Sequence, residues 1–153
     1  MRPHDPPMTA RVFFFYGTLL DADIRALVMG AGAPAELEPA TLVGWRRQAH
    51  PRETYPLIVP AADAAVEGAI ARGLAPDAVS RLVVYEGPEY RIAAVEVQLA
   101  GGGTVAAEVF VPTDGVGGTG GPWDLASWQR RHKRRYLARM KTAPLVAPTG
   151  LTE

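Results

Sequence analysis

Cysteine is missing from this 153-residue chain, which removes disulfides, thiol nucleophiles and thiolate metal sites. Its absence suits a reducing compartment. Serine is nearly missing too: only Ser80 and Ser127 occur, and neither lies in the G-x-S-x-G turn that arms one class of serine hydrolase. His4, His50 and His132 stand too far apart for ligand spacing, so no transition-metal site is expected. Net charge is lacking as well. Sixteen basic residues balance sixteen acidic ones, and no global field points to nucleic acid or a membrane. No run reaches the ~18 apolar residues a membrane helix requires. The opening Met1-Arg2-Pro3-His4-Asp5-Pro6-Pro7 carries too much proline and charge for a secretory leader. The expectation is a soluble cytoplasmic protein, either monomer or homodimer.

The length suits one domain that buries roughly 68–70% of its unfolded surface. Val12-Phe13-Phe14-Phe15 is continuously apolar, so residues 11–15 read as a buried strand. Residues 16–20 form a turn, and Asp21 caps a helix striped by Ile24, Leu27 and Val28 until Gly30. Further strands are expected at residues 40–48, 56–59 and 65–73. Pro76 then opens a helix carrying Val79, Leu82 and Val83, which Gly87-Pro88 stops. Residues 91–100 and 104–111 read as a hairpin joined by Gly101-Gly102-Gly103. A last helix is expected over residues 123–140. This order is not the regular alternation of a doubly wound sheet. It predicts an α+β domain over residues 11–141, with a mixed, mostly antiparallel, barrel-like sheet and flanking helices. Residues 1–10 read as a flexible segment and residues 142–153 as a loosely held tail.

Two places carry chemistry. At Tyr16-Gly17-Thr18-Leu19 a strand enters a helix through a glycine, where early N–H groups lack intrahelical partners and favour an anion. Thr18 adds a hydroxyl donor. A plain strand-to-helix turn is the commoner meaning of such a pattern, and without the lysine and second glycine of a P-loop a nucleoside triphosphate is not the favoured anion. The second place is Glu86, after Leu82-Val83-Val84-Tyr85 at the expected end of a helix. Apolar neighbours and the negative end of the helix dipole both disfavour its ionised form. A carboxyl tuned upward in this way can take a proton and return it within one cycle. The alternative is an ordinary surface glutamate beside a capping glycine. Glu89 lies in the break itself and reads as more solvated. Tyr90 is either a pocket tyrosine or a strand tyrosine whose hydroxyl meets a carbonyl.

Taken together, Tyr16-Gly17-Thr18-Leu19 and Glu86-Gly87-Pro88-Glu89-Tyr90 resemble the γ-glutamylcyclotransferase-like superfamily. That superfamily includes plant avirulence-induced-gene-like proteins and is marked by a Y-G-[ST]-L loop and a later E-G-x-x-Y segment. Leu42-Val43-Gly44-Trp45-Arg46, Tyr55-Pro56-Leu57 and Val66-Glu67-Gly68 are similar to its intervening landmarks. The resemblance spans residues 11–111, with a looser match at residues 123–136. It implies cyclisation of a γ-glutamyl amine or γ-glutamyl amino acid to 5-oxoproline. Glu86 would be the single acid/base, Tyr16, Gly17, Thr18 and Leu19 the substrate loop, and Tyr90 the pocket tyrosine. No metal or cofactor is implied, and the partner is a small γ-glutamyl substrate. A non-catalytic metabolite-binding or interaction module on the same fold is the alternative.

Two further signals stand outside this pattern. Gly115-Val116-Gly117-Gly118-Thr119-Gly120 satisfies G-x-G-x-x-G, but no second parallel strand follows to complete a dinucleotide fold, so residues 115–121 read as a flexible loop. Seven of the sixteen basic residues fall between Gln129 and Lys141. Leu125, Trp128, His132, Tyr136 and Met140 make one apolar stripe on that helix, leaving a solvated charged face rather than a nucleic-acid site.

Overall fold

The computed structural model describes residues 11–113 and 117–142. The expected flexible segment at residues 1–10, most of the tail, and residues 115 and 116 of the glycine loop lie outside the described residues. Five strands form a closed barrel: β1 (Arg11–Phe15), β2 (Glu38–Ala49), β3 (Pro56–Leu74), β4 (Tyr90–Leu99) and β5 (Thr104–Pro112), in the spatial order β1-β3-β2-β4-β5. Every pairing is antiparallel except β1 with β5, which closes the ring in parallel at Phe13↔Glu108. Among the described residues four α-helices flank the barrel: α1 (Ala22–Met29), α2 (Pro76–Glu86), α3 (Leu125–Arg131) and α4 (Lys133–Thr142). The expected α+β architecture with a mixed, mostly antiparallel sheet is the one observed.

The barrel explains why β1 is apolar on both faces. Alternate residues of a strand point to opposite sides. Phe14 and Tyr16 join Leu42, Ile58, Val66, Ile70, Val97 and Val109 in a cluster built from the strands and the loop that follows β1. Phe13 and Phe15 join Ile24, Val28, Val79, Leu82 and Trp128, most of them helical, in a second cluster. The first fills the barrel; the second glues the helices to its outside. Each buried large apolar side chain contributes roughly 1.5–3 kcal/mol relative to exposure.

Three expectations need correction. Residues 56–59 and 65–73 belong to one strand, β3. Its ladder with β2 shifts between Val43↔Ala65 and Trp45↔Pro60, so Gly44 alone opposes residues 61–64. Gly44 takes φ 93°, a conformation open to glycine, and the unpaired residues 61–64 make the bulge in β3. The last helix is divided at His132, whose φ −128° and ψ −23° leave the helical basin between α3 and α4. Hydrogen bonds from His132 N–H to Trp128 O and from Tyr136 N–H to His132 O span the break. Val83, expected on the packed stripe of α2, is 44% exposed, whereas Val79 and Leu82 are buried.

Candidate active site

The chain leaves β1 at Phe15 and passes through a short 3-10 turn, Thr18–Leu20, before Asp21 caps α1. Asp21 Oδ1 accepts from the N–H groups of Asp23 (2.9 Å) and Ile24 (3.1 Å), the local reason that α1 begins there. Gly17 is pressed against Pro56: a Cβ at position 17 would stand 2.9 Å from the proline ring. Arg47 Nη1 donates to Tyr16 O at 2.8 Å, and Arg25 Nη1 donates to Leu19 O and Leu20 O at 3.1 and 2.9 Å. Two guanidinium groups therefore hold the loop by its carbonyls. Among the described residues the N–H groups of Thr18 and Leu19 meet no acceptor. A loop fixed by its carbonyls with free donors is suited to an anion.

A cavity opens over this loop, lined by Phe14, Tyr16, Gly17, Thr18, Leu19, Tyr55, Pro56, Tyr85, Glu86 and Tyr136, with Phe15 and Phe110 completing its wall. The expected loop residues and Glu86 therefore share one concavity. Glu86 ends α2, with Gly87 as the capping residue at φ 80°. Burial pushes its carboxyl up to about 8, and the negative end of α2 acts in the same direction. Among the described residues its carboxyl has no hydrogen-bond partner and no cationic partner.

Tyrosine surrounds this carboxyl. All five tyrosines of the chain, Tyr16, Tyr55, Tyr85, Tyr90 and Tyr136, are pushed up, first by burial and then in part by the charge of Glu86. Tyr136 is lifted to about 12, with the hydrogen bond to Tyr85 opposing the rise. Tyr16 Oη donates to Phe110 O at 2.7 Å, fixing the start of the loop to β5. Thr18 Oγ1 lies 2.7 Å from Tyr85 Oη, which lies 2.7 Å from Tyr136 Oη. Tyr90 is placed differently from the other expected site residues. Its hydroxyl donates to Pro56 O at 3.4 Å, its ring stands 6.4 Å from that of Tyr55, and it supports the wall from behind.

Sequence reasoning missed Tyr55, Tyr85 and Tyr136 as site residues. Tyr85 precedes Glu86 directly, and Tyr55 stands beside Pro56, so adjacency was an available signal. Tyr136 gave none, because α4 reaches the site through tertiary contacts. Lys133 Nζ bridges Asp21 (2.8 Å) and Asp23 (2.7 Å), Gln129 Nε2 donates to Asp21 Oδ2 at 2.8 Å, and Trp128 is 2% exposed. These contacts fasten α3 and α4 to the end of the loop. Arg130, Arg131, Arg134 and Arg135 face away from it, on the exposed side of the same segment. Among the described residues no three His, Asp or Glu side chains gather closely enough to hold a metal ion. No described helix is long and apolar enough to cross a membrane.

Comparison with known proteins places this geometry in a family. The family described as "Gamma-glutamyl cyclotransferase, AIG2-like" matches residues 13–130. AIG2-like protein B of Arabidopsis thaliana is 27% identical over 139 residues, covering 90% of this chain and 79% of the relative. A solution structure of an Arabidopsis thaliana protein superposes with a TM-score of 0.67 at 24% identity, over 90% of this chain and 92% of that one. A crystal structure of an AIG2-like protein from Mus musculus gives 0.62 at 19% identity, over 76% and 86%. At these identities the two structures show the fold.

Proposed function

The chain belongs to the AIG2-like gamma-glutamyl cyclotransferase family, and from that premise we propose that it cyclises a small γ-glutamyl amine or γ-glutamyl amino acid to 5-oxoproline. One observation carries the reading: among the described residues, a single carboxyl without a counter-ion shares a small cavity with a loop that offers unused N–H groups. The α-carboxylate of the substrate binds the donors of residues 16–19, with Thr18 adding its hydroxyl. That grip folds the γ-carbonyl back toward the α-amine. Holding nucleophile and electrophile in attack geometry is worth roughly 7–11 kcal/mol in well-oriented intramolecular reactions.

Glu86 then works as a proton carrier. With its pKa near 8, only about a tenth of the free protein is ionised at neutral pH. The arriving substrate ammonium favours the carboxylate form, because an opposite charge within a few ångströms lowers a carboxyl pKa. Glu86 accepts a proton from the ammonium, and the amine attacks the γ-carbon. The ring C–N bond forms as the bond to the leaving nitrogen breaks, and Glu86 returns its proton to that nitrogen. A second proton, released as the ring nitrogen becomes an amide, ends on the liberated amine. No water is consumed. Tyr90 and Pro56 brace the wall; Tyr90 is a supporting residue rather than a substrate contact.

The test is Glu86→Gln, assayed by mass spectrometry for 5-oxoproline across a panel of γ-glutamyl compounds. General acid–base catalysis contributes about 10²–10⁴-fold, and a loss of that size is expected with the fold intact. A folded variant that kept the wild-type rate would remove Glu86 from the chemistry. Wild-type protein that binds these compounds without converting them would identify a binding module instead.

A further inference from the structure

Thr18, Tyr85 and Tyr136 place three hydroxyls in an unbranched row along the cavity wall, with 2.7 Å at each link. A hydroxyl has one proton to donate and lone pairs with which to accept. Tyr85 Oη, in the middle, has no third partner among the described residues. When its proton goes to one neighbour, it accepts from the other. If it donates to Tyr136, Thr18 donates to Tyr85, and the unspent proton sits on Tyr136. If it donates to Thr18, Tyr136 donates to Tyr85, and the unspent proton sits on Thr18. Both ends cannot offer a proton to the cavity at once.

An anion at the loop decides between the two directions. A carboxylate is an acceptor and requires the Thr18 hydroxyl as a donor. That choice commits Tyr85 to Thr18 and Tyr136 to Tyr85, so Tyr136 Oη presents only lone pairs to the cavity. Hydrogen bonds in such a row polarise one another, which reinforces the chosen direction.

We propose that this row relays polarity across the bound substrate: a carboxylate taken by Thr18 makes Tyr136 an acceptor, which then holds the N–H of the scissile amide. This deepens the cyclisation reading above and rests on it. Tyr136 becomes a positioning and specificity-determining residue, selecting an amide, which has an N–H, over an ester, which has none. Its placement depends on α4, which Lys133 ties to Asp21 and Asp23 next to the loop. The C-terminal helical segment is thereby part of the site. Glu86 keeps access to the lone pair of the same nitrogen while Tyr136 holds its hydrogen.

Tyr136→Phe and Tyr85→Phe both keep a ring and remove a hydroxyl, the first at the end of the row and the second in its middle. Each is assayed on a γ-glutamyl amide and on the matching γ-glutamyl ester, with the uncatalysed rate subtracted. Tyr136→Phe, which removes the acceptor, lowers kcat on the amide about tenfold, and Tyr85→Phe, which only frees the Tyr136 hydroxyl to turn, lowers it less. On the ester both variants lose less than on the amide, because no N–H is there to be held. Equal losses on amide and ester, in variants with wild-type melting temperature, would overturn the relay and leave the cyclisation reading standing. If Tyr136→Phe does not fold, Tyr85→Phe carries the same comparison. Wild-type protein inert toward both substrates would remove the cyclisation reading and the relay together.

Discussion

Two glutamates three residues apart sit on either side of the Gly87-Pro88 break in very different surroundings. Glu86 ends α2 inside the tyrosine-lined cavity, where burial lifts its pKa to about 8. Glu89, 43% exposed, faces Arg52 at 3.4 Å and His50 Nε2 at 3.6 Å. His50 Nδ1 accepts from the N–H groups of Arg52 and Glu53, so its ring proton resides on Nε2, toward Glu89. The main chain of Glu89 is also fixed, its carbonyl accepting from Thr113 N–H at 2.8 Å. Among the described residues one carboxyl lacks partners and is shielded; the other has partners and is wet. A single turn of backbone separates the carboxyl proposed as proton carrier from one tied to the surface, and partners rather than residue type set them apart.

The sharpest way to break this contrast is to neutralise each carboxyl in turn. Glu86→Gln is expected to lower 5-oxoproline formation about 10²–10⁴-fold, whereas Glu89→Gln stays within about threefold. Similar losses in both would show that position along the turn does not set the role. The pH profile sharpens the same point. The ionised form is the base, so kcat/KM of the wild type is expected to climb with pH up to about 8 and then level. Glu86→Gln loses that climb; Glu89→Gln keeps it.

Stability gives the next smaller effect. A carboxyl whose folded pKa lies above its unfolded value binds more protons when folded, so rising pH destabilises the fold between the two values. For Glu86 that window runs from 4.5 to about 8, and the decline amounts to a few kcal/mol. Denaturant melts at pH 5 and pH 8 should show the decline in the wild type and its disappearance in Glu86→Gln. Smallest of all is Arg52→Ala. It removes an exposed partner of Glu89 and should cost about 1 kcal/mol or less in the same melts.

Much of this contrast was legible in the sequence, because it is local. The apolar run before Glu86, the Gly-Pro stop after it and the glycine after β1 each signal through near neighbours. The barrel was legible as a class, from strand patterning and the glycine hairpin. What stayed hidden depends on distant partners. The continuity of β3 is set by its ladder with β2, and Pro60 on its own reads as a break. Nothing adjacent to His132 marks the point where α3 gives way to α4. Tyr136 stands 51 residues from the hydroxyl it meets, and only the docking of α4 on Asp21 and Asp23 brings them together. Tyr90 carried the motif, yet its hydroxyl is spent on Pro56, a choice made by packing.

The parallel seam between β1 and β5 has a consequence for how the molecule is born. Phe13 cannot reach its neighbour Glu108 until the ribosome has delivered the last strand, so for most of translation the first strand lacks one of its two flanking partners. Its three phenylalanines are a standing invitation to chaperones and to aggregation over that interval, since late long-range pairing leaves apolar edges open. The cavity wall is finished later still, when Tyr136 arrives. A stalled or truncated product ending before α4 would carry all five strands and still lack part of the cavity wall.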